Sequence, residues 1–272
     1  MKRLRLRGLV AATYTPLDPN GRVNTSAIAP VVERLLGDGV SGLYVCGSTG
    51  EGMSLTTSER KLVLEAYFEA ANGRTPVIAQ IGHNSLAEAC ELSSHAQDVG
   101  VDAISATCPS YFKVGDVETL TACMKTVADA AQTTPFYYYH IPSLTGSLIG
   151  MPEFLATGSK EIPNLVGLKY TDTKLFEFQE CLEINDGQFD VVWGCDEMLL
   201  GALATGATAA IGSTYNVAAP LYVRLMEAFS AGDHRRARDC QSLSVKLVRT
   251  LSRYPFHPAM KAVLAMHGLA LG

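Results

Sequence analysis

A single lysine stands inside an otherwise apolar segment, Leu165-Val-Gly-Leu-Lys-Tyr-Thr. If this segment is a strand, Gly167, Lys169 and Thr171 share one face. Helices packed on the other face would turn Lys169 into the protein interior, where burial lowers the pKa of a lysine. A neutral amine is the species that attacks a carbonyl carbon to form a Schiff base. The segment therefore indicates imine chemistry at Lys169, with a lysine at an exposed strand end as the alternative.

Three consecutive tyrosines end the preceding apolar segment. Alternation sends Tyr137 and Tyr139 to one face of a strand and Tyr138 and His140 to the other. A phenol beside a desolvated lysine can move protons during imine chemistry. We therefore expect one of these tyrosines to lie beside Lys169, because the two segments would form neighbouring strands. A place in the core or at the rim is the alternative for each tyrosine.

Three loops of small and polar residues could hold an anionic or hydroxylated ligand. Gly47-Ser-Thr-Gly-Glu-Gly52 offers hydroxyls and backbone N–H groups to a carboxylate. Gly194-Cys-Asp-Glu197 and Gly212-Ser-Thr-Tyr-Asn216 add acids and hydroxyls that suit a polyol. The alternatives are a flexible turn for the first loop and a helix N-cap role for Asp196.

Other ligand classes lack their usual motifs. The six histidines form no HxH or HExxH pattern, so a metal site is not expected. The seven cysteines include no CxxC pair, which disfavours a disulfide framework and favours reduced thiols. The phosphate-binding motif GxxxxGK[ST] is absent, so a nucleotide loop of that type is not expected either.

Composition narrows the class of protein further. Hydrophobic residues make up 47% and charged residues 18%, which excludes a disordered chain. A net charge of −5 disfavours nucleic acid as a partner.

No apolar signal segment follows the basic residues between positions 2 and 7. Residues 130–152 and 198–223 carry no Asp, Glu, Lys or Arg, but their prolines and glycines argue against membrane helices. We therefore expect a cytoplasmic protein without membrane partners.

The elements that must position these residues follow a strand–helix rhythm. Apolar runs rich in β-branched and aromatic residues predict strands at 8–14, 41–46, 76–81, 102–107, 136–141, 166–170, 189–193 and 207–212. Helical patterns separate them at 26–36, 57–71, 85–99, 117–131, 152–158, 174–184 and 197–205, and continue at 221–231, 233–251 and 259–268. Eight alternations predict an α/β fold, a (β/α)8 TIM barrel with a C-terminal helical extension. A doubly wound open sheet is the rival.

This pattern contains no domain boundary. We expect one domain over residues 1–272, with 220–272 forming the last barrel helix and a helical appendage.

Four motifs together resemble those of the dihydrodipicolinate synthase/N-acetylneuraminate lyase family of class I aldolases. They are Gly47-Ser-Thr-Gly-Glu-Gly, Tyr138-Tyr-His-Ile-Pro-Ser-Leu-Thr-Gly146, Gly167-Leu-Lys-Tyr-Thr-Asp172 and Gly212-Ser-Thr-Tyr-Asn216. The resemblance covers essentially the whole chain. It implies cleavage of N-acetylneuraminate to N-acetylmannosamine and pyruvate through a lysine imine, without a cofactor or metal, in a homotetramer. The alternatives are another pyruvate-dependent 2-oxo-3-deoxy acid aldolase or synthase of the family, and a catalytically silent sugar-acid sensor.

The resemblance also implies roles for individual residues. Lys169 would form the Schiff base, Tyr139 would carry protons, and Ser48 and Thr49 would hold the carboxylate. The sugar portion would be bound by residues near the ends of strands six to eight, namely Thr171, Gly194, Asp196, Glu197, Gly212 and Ser213.

Two further positions bear on the subunit contact and on the substrate. Tyr111 matches a family tyrosine that reaches the site of a neighbouring subunit. Leu144 stands where synthases of the family carry an arginine for a second carboxylate, which disfavours a dicarboxylic product.

Overall fold

Eight parallel strands form a closed barrel in the computed structural model, which describes residues 4–272. Each strand pairs with its neighbours in chain order, and β1 pairs with β8 to close the ring. The strands are β1 (Gly8–Ala12), β2 (Gly42–Val45), β3 (Val77–Gln80), β4 (Ala103–Ala106), β5 (Phe136–His140), β6 (Leu165–Tyr170), β7 (Asp190–Trp193) and β8 (Ala209–Gly212). The predicted barrel is confirmed, and the open sheet is excluded.

Helices follow the strands and surround the barrel. They are α1 (Ile28–Gly37), α2 (Thr57–Ala71), α3 (Leu86–Val99), α4 (Val117–Asp129), α5 (Pro142–Thr145), α6 (Met151–Glu161), α7 (Leu175–Gly187), α8 (Leu199–Thr205), α9 (Tyr215–Ser230), α10 (His234–Leu251) and α11 (Phe256–Met266). Every predicted helix has a counterpart, whereas the single turn α5 was not predicted. It begins at Pro142, whose fixed φ suits a first helical position, and ends at Gly146 with φ +68°.

The eighth barrel helix begins earlier than its apolar pattern predicts. α9 starts at Tyr215, so the predicted boundary at residue 220 lies inside it. Ala218 leaves the helical conformation, with φ −139° and ψ 23°, two residues before Pro220. A proline cannot donate the next helical hydrogen bond and crowds the turn before it, which accounts for the break. The helical appendage after this helix consists of α10 and α11.

The core has two layers, one inside the barrel and one between the barrel and the helices. Tyr137 and Tyr139 belong to the inner layer and Tyr138 to the outer one, as alternation predicts. At the amino end of the strands, Asp190 Oδ2 accepts hydrogen bonds from the Tyr137 hydroxyl (2.7 Å) and the Leu6 N–H (2.9 Å). These bonds join β5, β7 and the segment before β1 at the amino ends of the strands.

No helix in residues 4–272 combines the length and hydropathy needed to cross a bilayer. The two uncharged stretches of the sequence instead contain short elements, among them β5 and α5 in the first and α8 and β8 in the second.

Of the basic residues near the front, Lys2 and Arg3 lie outside the described residues. Arg5 Nη2 donates a hydrogen bond to the Gly187 carbonyl oxygen at 2.7 Å.

Candidate active site

The amine of Lys169 lies inside the barrel between two tyrosine rings. Lys169 is one residue before the end of β6, and its register partner on β5 is Tyr139. Its Nζ is 3.9 Å from the centroid of the Tyr139 ring and 4.0 Å from that of Tyr44. The side chain is 4% exposed. The inward orientation of Lys169 and the adjacent phenol are therefore confirmed, and the exposed strand end is excluded.

Burial shifts the pKa values of both Lys169 and Tyr44. It lowers the pKa of Lys169, although Tyr139 and Asp196 oppose the shift. Burial also raises the pKa of Tyr44 well above its ordinary value, so this phenol stays neutral. The lowered pKa increases the share of neutral Lys169 amine, which is the form that can attack a carbonyl.

Tyr44 on β2 belongs to none of the motifs of the sequence. Its hydroxyl donates a hydrogen bond to Ser105 Oγ at 3.1 Å, and its ring meets that of Tyr139 edge to face with 5.8 Å between centroids. The alternation of β2, in which Tyr44 shares the inward face with Gly42, was the signal that could have identified it. Tyr44 and Tyr139 together fix where the lysine amine lies.

The loop after β2 meets the turn after β8 through two hydroxyls. Thr49 is buried, and its Oγ1 is 2.6 Å from Ser213 Oγ. Ser48 is half-buried and lines a cavity of about 70 Å³. Other residues along this cavity are Cys46, Gly47, Met53, Gln80, Thr107, Ser110, Ile141, Leu144 and Thr145. The structure thus joins a predicted carboxylate-binding hydroxyl, Thr49, to a predicted sugar-binding one, Ser213.

This loop, residues 47–52, is a constrained turn and not the flexible one considered as an alternative. A Cβ on Gly52 would lie 2.0 Å from the Cys46 carbonyl oxygen, so only glycine allows that approach. Glu51 adopts a left-handed conformation with φ +55°. Its Oε1 is 2.8 Å from Nζ of Lys261 on α11, and Lys261 is 7% exposed. The last helix therefore anchors the loop.

A buried arginine lies next to the same loop. Arg60 of α2 donates hydrogen bonds to the Gly82 carbonyl (2.9 Å), the Gln80 carbonyl (2.6 Å) and Gln80 Oε1 (2.7 Å). These acceptors are neutral, and burial lowers the pKa of the guanidinium. Cys46, directly before the loop, donates a weak hydrogen bond to the Arg60 carbonyl at 3.7 Å. An arginine near the start of a helix is usually exposed, so the sequence pattern does not indicate that Arg60 is buried.

Asp196 is buried, and its carboxylate is hydrogen-bonded to the turn after β8. Its Oδ2 accepts hydrogen bonds from the Thr214 N–H (2.8 Å) and the Thr214 hydroxyl (2.6 Å). Burial raises its pKa to about 6, even though the bonds from Thr214 oppose the shift. Asp196 lies inside a short helical turn, Asp196–Met198, whose N-cap position is occupied by Cys195. The N-cap role considered for Asp196 is therefore wrong. A Cβ on Gly212 would lie 1.9 Å from Asp196 Oδ1, so Gly212 makes room for the acid.

Thr171, Gly194 and Glu197 complete the predicted polar rim. The Thr171 hydroxyl is buried and has no hydrogen-bond partner among residues 4–272. Gly194 lies against it, since a Cβ there would be 2.0 Å from Thr171 Oγ1. Glu197 is exposed. The rim therefore offers one unpaired hydroxyl and one solvated carboxylate to a ligand.

Tyr111 is not packed into this group. Its side chain is 79% exposed and meets the ring of Phe112 edge to face at 5.1 Å. Asn84 Oδ1 accepts a hydrogen bond from its backbone N–H at 3.0 Å and so fixes the base of the loop. Within one chain the ring is directed to solvent.

Metal-ligating side chains come together elsewhere, at the end of β5 and after β6. His140, Asp172 and Glu177 each place a ligand atom within 4.8 Å of the others. Histidine spacing does not reveal this group, because two of its members are carboxylates.

Comparison with known proteins agrees with this architecture. The profile of the Dihydrodipicolinate synthetase family matches residues 5–272. N-acetylneuraminate lyase B of Xenopus laevis is 42% identical over 239 residues, which span 87% of this chain and 90% of that protein. N-acetylneuraminate lyase of Homo sapiens is 39% identical over 273 residues, which span 98% of this chain and 85% of that protein.

Solved structures of relatives have the same fold as this chain. Proteus mirabilis N-acetylneuraminate lyase superposes with a TM-score of 0.97 and 39% identity, covering 99% of this chain and 91% of that one. The match thus extends over all eight strands and the helical extension as well as the motifs. The chain belongs to the Dihydrodipicolinate synthetase family.

Proposed function

We propose that this chain is a class I aldolase that cleaves N-acetylneuraminate to N-acetylmannosamine and pyruvate. The observation that carries the proposal is the buried Lys169 amine, held between the Tyr139 and Tyr44 rings at the open end of a closed barrel. Relatives named as N-acetylneuraminate lyases support the choice of substrate. No cofactor is needed, because the imine itself withdraws electrons from the bond that breaks.

The first steps join the substrate to the protein. The neutral Lys169 amine attacks the C2 carbonyl carbon of the open-chain sialic acid and forms a carbinolamine. Proton transfer to the C2 hydroxyl lets it leave as water, and a protonated imine remains. The low pKa that burial gives Lys169 favours the attacking form. Tyr139, beside the amine, is the candidate proton carrier for these transfers.

Cleavage follows from the electron demand of the imine. A base removes the proton of the C4 hydroxyl, and Tyr139 is its candidate relay. The C3–C4 bond breaks, its electron pair passes to the imine as an enamine, and C4 becomes the aldehyde of N-acetylmannosamine. A proton then returns to C3, and water hydrolyses the pyruvate imine to regenerate Lys169.

The two halves of the substrate fit two parts of the site. We assign the carboxylate to Ser48 and Thr49, in the loop that Lys261 anchors. We assign the sugar hydroxyls to the rim formed by Thr171, Gly194, Asp196, Glu197, Gly212 and Ser213. The unpaired Thr171 hydroxyl and the fixed Asp196 carboxylate support this assignment.

Leu144 disfavours the synthase alternative. It lines the cavity beside Ser48 and is exposed there, so an apolar side chain stands where a second carboxylate would need a cation. A silent sensor would not require both a buried lysine and an adjacent phenol, and the chain retains both.

The assembly and location are also proposals. We propose one barrel domain per chain, a homotetramer in which Tyr111 reaches the site of a neighbouring subunit, and a place in the cytoplasm. The exposed, backbone-anchored Tyr111 loop supports a subunit contact. The acidic net charge supports the absence of nucleic-acid partners.

A substrate panel tests the proposed function. Pyruvate release should be measured with N-acetylneuraminate, its N-glycolyl form and shorter 2-oxo-3-deoxy sugar acids. We expect the highest kcat/KM with a sialic acid. Higher kcat/KM with a short acid would instead identify another aldolase of the family, and no pyruvate from any compound would favour the sensor.

A further inference from the structure

A second group of side chains lies on the opposite face of the strands from Lys169. His140 and Tyr170 are register partners on β5 and β6, directly after the Tyr139 and Lys169 pair. Their rings contact each other outside the barrel, with 5.1 Å between centroids and 33° between planes. His140 is 2% exposed, and its Nε2 has no hydrogen-bond partner among the described residues. A buried ring nitrogen without a partner is costly and needs an explanation.

Two carboxylates face this nitrogen. Asp172 Oδ2 and Glu177 Oε1 are each 3.9 Å from His140 Nε2, which is too far for a hydrogen bond. The Tyr170 hydroxyl donates a hydrogen bond to Glu177 Oε1 at 2.7 Å and so fixes that carboxylate. Asp172 keeps a side-chain exposure of 17%, which leaves a route from solvent. The three ligand atoms therefore surround one point without bonding to each other.

The charges near that point do not balance. Lys174 is the one lysine or arginine of the described residues within 4 Å of either carboxylate, with its Nζ 3.4 Å from Asp172 Oδ2. Two negative charges thus meet one positive charge that is half-exposed. Negative charge in a mostly buried site is costly unless a cation compensates it.

We propose that His140, Asp172 and Glu177 bind one divalent transition-metal cation, for which Zn²⁺ is the appropriate probe. One imidazole nitrogen and two carboxylate oxygens are a donor set that Zn²⁺ accepts, with water completing a tetrahedron. Ligand atoms around tetrahedral zinc are about 3.4 Å apart. The two 3.9 Å distances from His140 Nε2 must therefore shorten by roughly 0.5 Å, and the other separation, which is within 4.8 Å, by at most about 1.4 Å. Ca²⁺ and Mg²⁺ prefer all-oxygen sets with more ligands.

The position of this site suggests a structural role. A cation there would tie the end of β5 to the β6–α7 connection, on the reverse side of the strands that carry Tyr139 and Lys169. It would not touch the amine, so the proposal is independent of the imine chemistry. We expect bound metal to stabilise the fold, because a ligand that binds only the folded state shifts the unfolding equilibrium.

Direct metal binding tests the proposal. Metal-free protein, reduced with a phosphine, should be titrated with Zn²⁺ by calorimetry and with Co²⁺ by visible absorption. We expect one metal per chain and the visible bands of tetrahedral Co²⁺ with nitrogen and oxygen ligands. His140→Ala and Asp172→Asn should each weaken binding at least about tenfold, since the first removes the ligand nitrogen and the second removes the negative charge of a ligand. Zn²⁺ should raise the Tm of the wild type and leave that of Asp172→Asn nearly unchanged.

His95→Ala is the matched control. His95 Nε2 also lies near a carboxylate, 2.7 Å from Glu65 Oε1, but on the helical surface. We expect unchanged metal binding in this variant. The proposal is overturned if the wild type binds no stoichiometric metal, if Asp172→Asn binds as tightly as the wild type, or if His95→Ala loses binding. Thiolate-to-cobalt charge-transfer bands would place the metal on cysteine and overturn it as well. Asp172→Asn keeps the test decisive should His140→Ala fail to fold.

Discussion

The Nζ of Lys169 lies 3.9 Å from the centroid of the Tyr139 ring, and the two residues are register partners on adjacent strands. Their separation is thus set by the barrel backbone and not by flexible loops. A reacting carbon bonded to Nζ would stay within reach of the same phenol through imine formation, cleavage and hydrolysis. One fixed pair can therefore take part in every step of the proposed cycle.

Borohydride trapping tests the role of Lys169. Incubation with pyruvate and borohydride should add one reduced adduct to the peptide that contains Lys169, because burial lowers the pKa of this amine. Mass spectrometry of the digest identifies the peptide. Lys261 is the internal control, since it is also buried but already paired with Glu51. Labelling of another lysine, or of none, would refute the imine mechanism.

Tyr139→Phe tests the proton carrier. Loss of the phenol should lower kcat by roughly 10²–10⁴-fold, the usual range for lost general acid–base catalysis. Tyr138→Phe is the matched control, because Tyr138 is equally buried but faces the outer layer. Steady-state kinetics on both folded variants decide the matter. Wild-type turnover in Tyr139→Phe would remove that residue from the mechanism.

Asp196→Asn and Glu197→Ala test recognition of the sugar. A hydrogen bond to a charged group is worth roughly 1.5–3 kcal/mol, so each change should cost about 10–100-fold in kcat/KM for N-acetylneuraminate. Adduct formation with pyruvate should persist. Asparagine retains an oxygen that can accept from Thr214, which protects the fold.

The control for these variants is Glu183→Ala, which removes an exposed acid late in α7. Its kcat/KM should match that of the wild type. Equal losses for N-acetylneuraminate and a short 2-oxo-3-deoxy acid in Asp196→Asn and Glu197→Ala would contradict the sugar-binding assignment.

Asp196 should also make stability depend on pH. Burial raises its pKa from 3.8 to about 6, so the folded protein holds this proton more tightly than the unfolded chain. Its contribution is fully present below about pH 4 and is lost as the pH rises through about 6. Urea unfolding at pH 4 to 7 should show the wild type losing stability relative to Asp196→Asn over that window. A constant difference between the two proteins would contradict the raised pKa.

Lys261→Met tests the anchor of the loop at residues 47–52, to which we assign the substrate carboxylate. Displacement of a binding loop can cost about 10–100-fold in kcat/KM, and we expect most of that loss in KM. Glu51→Gln should have the same effect, and the double variant should lose no more than either single one. Lys125→Met is the control, because it breaks an exposed pair with Asp129 on α4. Additive losses in the double variant would show that the residues do not act through their contact.

The face of a strand on which each side chain lies could be predicted from the sequence, because it depends only on local periodicity. Alternation along β5 and β6 fixed which faces carry Tyr139 and Lys169, and the strand count made the two strands neighbours. Contacts between distant loops follow no such period. Thr49 meets Ser213, and Asp196 meets Thr214, only because closure of the barrel brings the loops after different strands together.

Residues on helices were the hardest to predict. Arg60 and Lys261 each occupy a position that a charged surface residue would also occupy, yet both are buried. Their partners lie on other elements: Arg60 bonds to the end of β3 at Gln80, and Lys261 pairs with Glu51 in the loop after β2. The proposed metal site is hard to predict for a related reason, because its members come from β5, the β6–α7 connection and α7.

The contact between Lys261 and Glu51 has a consequence for how the protein is made. Synthesis proceeds from the amino end, so the loop after β2 leaves the ribosome long before α11 exists. Until the last helix emerges, Glu51 lacks its cation even if all eight strands have paired. A nascent chain halted before α11 should therefore lack the anchor of this loop and bind pyruvate poorly. Competence for the ligand would arrive only after α11 has been synthesised.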